Sequence, residues 1–195
     1  IIPSSWTSIP PLAFYGCHSL TSITFQSGGT QLVSISSGAF GNTYITSIVI
    51  PSNIVTIDTN AFILCNLLTS LTFEENSKLK YINEGAFAFT KLTGDIIFPS
   101  QLEIIKYSSF RVIHYSFFSL KFEIGSHFLE FGSSCCRSNG LQSIEIPNTV
   151  LRIVPWAFAD CISLTEVVFW NNIQLNKIEE NVFSRTGLIN IIIPA

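Results

Sequence analysis

The sequence contains no methionine, and only 12% of its 195 residues are charged. Its 10 Lys and Arg are scattered against 13 Asp and Glu, for a net charge of -3. That excludes the clustered basic patch a phosphate backbone requires, so no nucleic acid partner is expected. No apolar run approaches the roughly 20 residues of a membrane-spanning helix, because Pro, Ser or a charge interrupts every few positions. Membrane insertion by this segment is therefore not expected. A starting Met and a signal peptide are also missing, and the two ends, Ile1-Ile2-Pro3 and Ile193-Pro194-Ala195, share one phase of a repeat. The chain is expected to be part of a longer protein.

Residues that carry chemistry are sparse. His18, His114 and His127 each fall on an expected turn or loop. Gly28-Gly29 lacks the following Lys-Ser/Thr that phosphate cradling requires, and no Ser or Cys sits in a nucleophile elbow. Glu74-Glu75 and Glu179-Glu180 read as solvated loop carboxylates. Cys17, Cys65 and Cys161 occupy one equivalent position at least two coils apart, roughly 10 Å or more, beyond the limit of about 7 Å for bridging. They are expected to be buried small apolar residues. Cys135-Cys136 leaves two readings open, buried thiols or a strained local disulfide and reactive site. With His127 nearby, a metal site matches no structural zinc spacing. No enzyme activity, cofactor or metal is expected.

What the chain has instead is 47% hydrophobic residues, 17 of them Phe, on a strict period. Pro3, Pro51, Pro99 and Pro147 stand 48 apart, and Pro194 continues the series one residue short. Ala-Phe or a near variant ends at Phe14, Phe62, Phe110 and Phe158, again 48 apart, with Phe40, Phe87, Cys136 and Phe183 between them. Such spacing denotes a repeat array. Residues 1–195 thus form a single domain of eight alternating long and short units.

Within each unit the segment Leu-x-x-Ile-x-Ile has the two-residue period of a strand buried on one face. Each unit is expected to supply one such strand. Ile23/Phe25, Ile48/Ile50, Leu71/Phe73, Ile96/Phe98, Leu120/Phe122, Ile144/Ile146, Val167/Phe169 and Ile191/Ile193 should point inward. Successive strands one coil apart must pair in parallel at about 4.8 Å. The return path supplies further inward positions at Trp6, Ile54, Leu102 and Val150. The opposite wall is expected to consist of short turns or one-turn helices around Ala-Phe, and Gly94 to make a bulge.

The units Ile-x-x-x-Ala-Phe-x-x-Cys-x-x-Leu-x-x-Ile-x-Phe and Leu-x-x-Ile-x-Ile-Pro-x-x-Val-x-x-Ile resemble the Treponema-type leucine-rich repeats of BspA-like surface proteins, from Pro3 to Pro194. The sixth unit departs most, with Cys135-Cys136 where Ala-Phe is expected. The resemblance implies a leucine-rich-repeat solenoid, mainly β, of eight right-handed coils with a concave parallel sheet. It also implies a non-enzymatic interaction module at the cell surface or secreted, mediating adhesion to host proteins or cells. A structural spacer or stalk is one alternative and an intracellular, cytoplasmic scaffold another, the latter favoured by unpaired cysteines and the absence of any Asn-x-Ser/Thr site.

The outward strand positions form two columns. One is small and polar: Ser22, Ser47, Ser70, Asp95, Ser119, Ser143, Glu166, Asn190. The other is Thr24, Val49, Thr72, Ile97, Lys121, Glu145, Val168, Ile192. Two readings stay open. The β-branched residues could simply suit a pleated surface, with Lys121 and Glu145 a cross-strand ion pair. Alternatively Val49, Thr72, Ile97, Val168 and Ile192 around that charged pair form the surface that a protein or cell-surface component docks on. Trp170 is expected at the sheet margin as a candidate anchor. Trp156 belongs to the opposite wall. The apolar run Leu188 to Pro194 is expected to invite edge-to-edge self-association.

Overall fold

The computed structural model describes residues 1–26, 31–113 and 118–193. Gly28-Gly29, His114 and Pro194 lie outside them. The described residues contain thirteen strands and no helix: β1 (Ser34–Ile35), β2 (Ser47–Ile50), β3 (Thr56–Ile57), β4 (Ser70–Phe73), β5 (Tyr81–Ile82), β6 (Gly94–Phe98), β7 (Ile104–Ile105), β8 (Phe118–Phe122), β9 (Glu130–Phe131), β10 (Leu141–Ile146), β11 (Arg152–Ile153), β12 (Glu166–Phe169) and β13 (Lys177–Ile178). All pairings are parallel, and each joins a strand to its counterpart in an adjacent coil. The chain is a parallel β-solenoid.

The even-numbered strands are those expected from the two-residue period. Ile48, Ile50, Leu71, Ile96, Phe98, Leu120, Phe122, Ile144 and Ile146 are buried, and Phe73, Val167 and Phe169 pack against them half-buried. Six of the eight expected units form a strand here. In the first, Phe25 makes only a bridge to Ile2, and Ile191 and Ile193 of the last are exposed and outside any strand. The odd-numbered strands were not expected. Each is two residues long and buries its second residue, Ile35, Ile57, Ile82, Ile105, Phe131 or Ile153, with Ile178 half-buried at the end. Each coil therefore has two hydrogen-bonded sides rather than one.

The Ala-Phe wall is a third. It is built of turns, so the one-turn helices of the sequence reading are absent from the described residues. Alternate amides donate to the next coil: Asn60 to Glu84, Phe62 to Ala86 and Leu64 to Ala88, and one coil on Gly85 to Tyr107, Phe87 to Ser109 and Phe89 to Arg111, at 2.8–3.0 Å. The same rungs recur along the wall from Leu12, Phe14 and Gly16 to Trp156, Phe158 and Asp160. To aim N–H groups this way, two residues per turn adopt φ > 0. The pairs are Leu12/Gly16, Gly38/Asn42, Asn60/Leu64, Gly85/Phe89, Ser108/Val112, Ser134/Ser138, Trp156/Asp160 and Asn181/Arg185. Bulky residues such as Val112 and Trp156 tolerate this backbone because the rungs on both sides fix it.

The prolines head the turns that leave the long strands. Pro3, Pro51, Pro99 and Pro147 each accept from the amide three residues on, of Trp6, Ile54, Leu102 and Val150. Ile54, Leu102 and Val150 are buried as expected, whereas Trp6 is exposed, since the first coil is covered on one side only. The following amide is capped from the next coil: Ser4 N–H by Gln26 Oε1 at 3.1 Å, Ser52 N–H by Glu74 Oε2 at 2.8 Å and Ser100 N–H by Glu123 Oε2 at 2.9 Å. Gly94 begins β6 at φ 75°, where the ladder breaks between β4 and β6. The register shift itself lies between Leu141 and Ser143.

The rings of the Ala-Phe column stack face to face along the core. Phe14–Phe40, Phe40–Phe62, Phe62–Phe87 and Phe87–Phe110 have centroids 5.2, 5.6, 5.2 and 5.3 Å apart and planes within 16° of parallel. Cys136 interrupts the stack. Its missing ring is replaced from the neighbouring column, where Phe131 stands in register with Ile105, and Phe128 takes the place Leu102 and Val150 hold in adjacent coils. Phe131 meets Phe158 edge-on at 5.0 Å and Phe128 at 4.5 Å, and the stack resumes at Phe158–Phe183.

Candidate interaction face

The outward residues of the long strands fall in the two expected columns. Ser47 lies beside Ser70 and Val49 beside Thr72, Asp95 beside Ser119 and Ile97 beside Lys121, Ser143 beside Glu166 and Glu145 beside Val168. The Ser143 and Ser119 hydroxyls are 2.8 Å apart. Val49, Ile97 and Val168 are 51%, 53% and 41% exposed. Thr72 is also exposed, and Lys121 and Glu145 are half-buried. Ile192 is exposed but stands apart, on no strand.

The charges pair differently from the sequence expectation. Lys121 Nζ donates to Asp95 Oδ2 at 2.6 Å, diagonally across the two columns, and this hydrogen bond raises the lysine pKa. Glu145 turns instead to the margin, where its Oε2 accepts from the Trp170 indole N–H at 3.3 Å and from the Phe122 amide at 3.4 Å. The Lys121–Glu145 ion pair is thus replaced by two separate contacts. Trp170 is half-buried against the core, so it is a buttress of the face rather than a free anchor.

On the short-strand side the charges satisfy one another. Glu103 accepts from Lys80 Nζ at 2.7 Å and from the Tyr81 hydroxyl at 3.0 Å, and the lysine contact holds the Glu103 carboxyl below its usual range. Arg152 reaches both Glu130 and Glu179.

The cysteines are structural donors. Cys65 Sγ–H donates to the Phe40 carbonyl at 3.1 Å and Cys161 Sγ–H to the Cys136 carbonyl at 2.9 Å, each in the preceding coil, whereas Thr43 and Thr90 at the equivalent positions donate to Phe40 and Phe87 within their own turns. No cysteine is in a disulfide, and the Sγ atoms of Cys135 and Cys136 are 3.8 Å apart. Cys17, expected to be buried with its counterparts, is exposed. Burial pushes the Cys161 thiol up to about 12 and raises those of Cys65 and Cys136, suppressing the nucleophilic thiolate. A thiol reagent at neutral pH is therefore expected to modify one cysteine per folded chain, Cys17, and all five after denaturation. Two or more rapid modifications in the folded chain would contradict the burial.

Sequence reasoning missed the capping Gln26, Glu74 and Glu123, although they recur one residue past their strands at 48- and 49-residue intervals. Among the described residues no helix is long and apolar enough to cross a membrane, and no group of three or more His, Cys, Asp or Glu could hold a metal ion.

A family model described as BspA type leucine rich repeat region matches residues 1–116 and 95–195, in six copies. A comparison with curated proteins finds no match. Among solved structures, the pneumococcal vaccine antigen PcpA superposes with a TM-score of 0.64 at 23% identity, over 95% of this chain and 56% of that one. A leucine-rich repeat protein from Bacteroides ovatus gives 0.40 at 22% identity, over 90% and 55%. A leucine rich cell surface protein from Faecalibacterium prausnitzii gives 0.37 at 19%, over 94% and 81%. The chain thus spans little more than half the length of the first two.

Proposed function

The chain belongs to the BspA-type leucine-rich repeat family, and on that premise we propose that it is a non-enzymatic protein-interaction module of a surface or secreted protein, mediating adhesion. Its partner is a protein or cell-surface component that docks on the outward face of β2, β4, β6, β8, β10 and β12. The observation that carries this reading is the exposure of Val49, Ile97 and Val168 in one outward column, among small hydroxyls, Glu145, Glu166 and the Asp95–Lys121 pair. Apolar side chains ringed by small polar ones match the composition of a docking patch. The likeness to a vaccine antigen accords with an exposed location. The free cysteines favour an intracellular scaffold as a second reading, but four of the five are buried and need no reducing compartment. Exposed Ile189 and Ile192 support accompanying self-association through the last coil, by apolar contact.

The test is retention of the purified chain on host epithelial monolayers. Ile97→Asp with Val168→Asp is expected to reduce retention at least about tenfold, the loss of two central apolar contacts, with unchanged melting temperature because both side chains face solvent. Unchanged retention would overturn the assignment of this face.

A further inference from the structure

On the opposite wall a cavity of about 240 Å³ opens over three successive turns. Its floor is the middle turn, where the residues are Gly85 and Ala88. A Cβ on Gly85, at φ 62°, would lie 2.3 Å from Asn60 Oδ1, so a side chain here would displace the Asn60 amide from the rim. One rim comes from the preceding turn, with Asn60, and the other from the following turn, with Tyr107, Ser108 and Arg111.

The following rim carries donors with nothing to donate to. The Ser108 hydroxyl and Arg111 Nε are both buried from solvent and have no hydrogen-bond partner. Such orphans are costly and call for an explanation. The next turn of the same wall shows what a satisfied arginine looks like. Arg137, the counterpart of Arg111, donates Nε to Asp160 Oδ2 at 2.9 Å and lies 4.9 Å over the Trp156 ring. The positions that would serve Arg111 in this way are Ser138 and Ser134, which offer neither a carboxylate nor a ring. Among the described residues Arg111 Nε is thus left without an acceptor, and neither a carboxylate nor a ring stands at the positions that serve Arg137.

We propose that this cavity binds an acidic sugar unit, a uronic acid, whose carboxylate takes the Arg111 guanidinium and Ser108 hydroxyl. A carboxylate matches the planar donor fork of arginine. The rest of the cavity selects a sugar over a peptide carboxylate. Glu84 lines it without an ion pair among the described residues, an acceptor suited to ring hydroxyls and hostile to a second anion. Exposed Tyr107 and Phe89 flank the opening and offer apolar faces to ring C–H groups. The site lies away from the long strands and does not depend on what docks there.

The test is ligand-observed saturation-transfer NMR of the unmodified chain with D-glucuronate, D-glucose and N-acetyl-L-glutamate, followed by titration. Glucuronate is expected to bind, with glucose and N-acetylglutamate each at least about tenfold weaker. Arg111→Gln and Tyr107→Ala are each expected to weaken glucuronate by a similar factor without shifting the melting temperature. Absence of glucuronate binding at about 10 mM, equal binding of glucose, or unchanged affinity in Arg111→Gln would overturn the site. N-acetylglutamate binding as tightly as glucuronate, or unchanged affinity in Tyr107→Ala, would overturn its assignment to a sugar.

Discussion

Phe62→Ala is expected to cost about 3–5 kcal/mol of folding stability. The ring is fully buried and stacked on both faces, at 5.6 Å from Phe40 and 5.2 Å from Phe87. In most cores part of such a cavity closes by local collapse. Here it cannot, because coil spacing is fixed by backbone rungs on both sides of the missing ring, Phe40 N–H to Ala61 and Phe62 N–H to Ala86. Both neighbouring rings then lose a contact face at once. Urea unfolding monitored by tryptophan fluorescence measures the loss. A cost under about 1 kcal/mol would mean that the wall yields and that the stack does not set the coil spacing.

The sixth coil supplies a second large effect. Cys136→Phe restores the residue type of the column but drives a ring into space already filled by Phe131 and Phe128, and overpacking is expected to cost about 1–3 kcal/mol or more. Phe131→Ile restores its own column and opens a void beside Phe158, at a comparable cost. Combined, the two changes rebuild the arrangement of the neighbouring coils, Ile in one column and Phe in the next. The double variant is expected to recover at least about 1 kcal/mol relative to the sum of the singles. Additive costs would show that Phe131 and Cys136 do not share one volume.

The sequence made the long strands legible because Ile48/Ile50 or Leu120/Phe122 alternate with Ser, Thr and charge over four or more residues. The short strands carry no such signal. Two residues such as Thr56-Ile57 or Ile104-Ile105 have no period, and they form a sheet only because a coil on each side repeats them. The turns of the Ala-Phe wall were expected, but their hydrogen-bonded rungs were hidden for a related reason. Local rules reserve φ > 0 for Gly and Asn, yet Leu64, Phe89, Val112 and Trp156 adopt it under the pull of inter-coil rungs. On the candidate face the columns were readable from period alone. Pairing was not, because Lys121 has carboxylates in both neighbouring strands, Asp95 and Glu145, and in the structure it takes Asp95 while Glu145 accepts from the Trp170 indole.

These features bear on binding through rigidity. On the proposed docking face, strands held by parallel ladders within each sheet would lose little conformational entropy when a partner binds, which lets mildly apolar contacts count. The most direct test of that framework is native-state amide hydrogen exchange on the turn wall. The amides of Asn60, Phe62, Phe87, Phe110 and Phe158 are expected to be as protected as those of Leu71 and Leu120 in the long strands, since each donates to the neighbouring coil. Rapid exchange at these wall amides, with protection confined to the long strands, would contradict the three-sided coil.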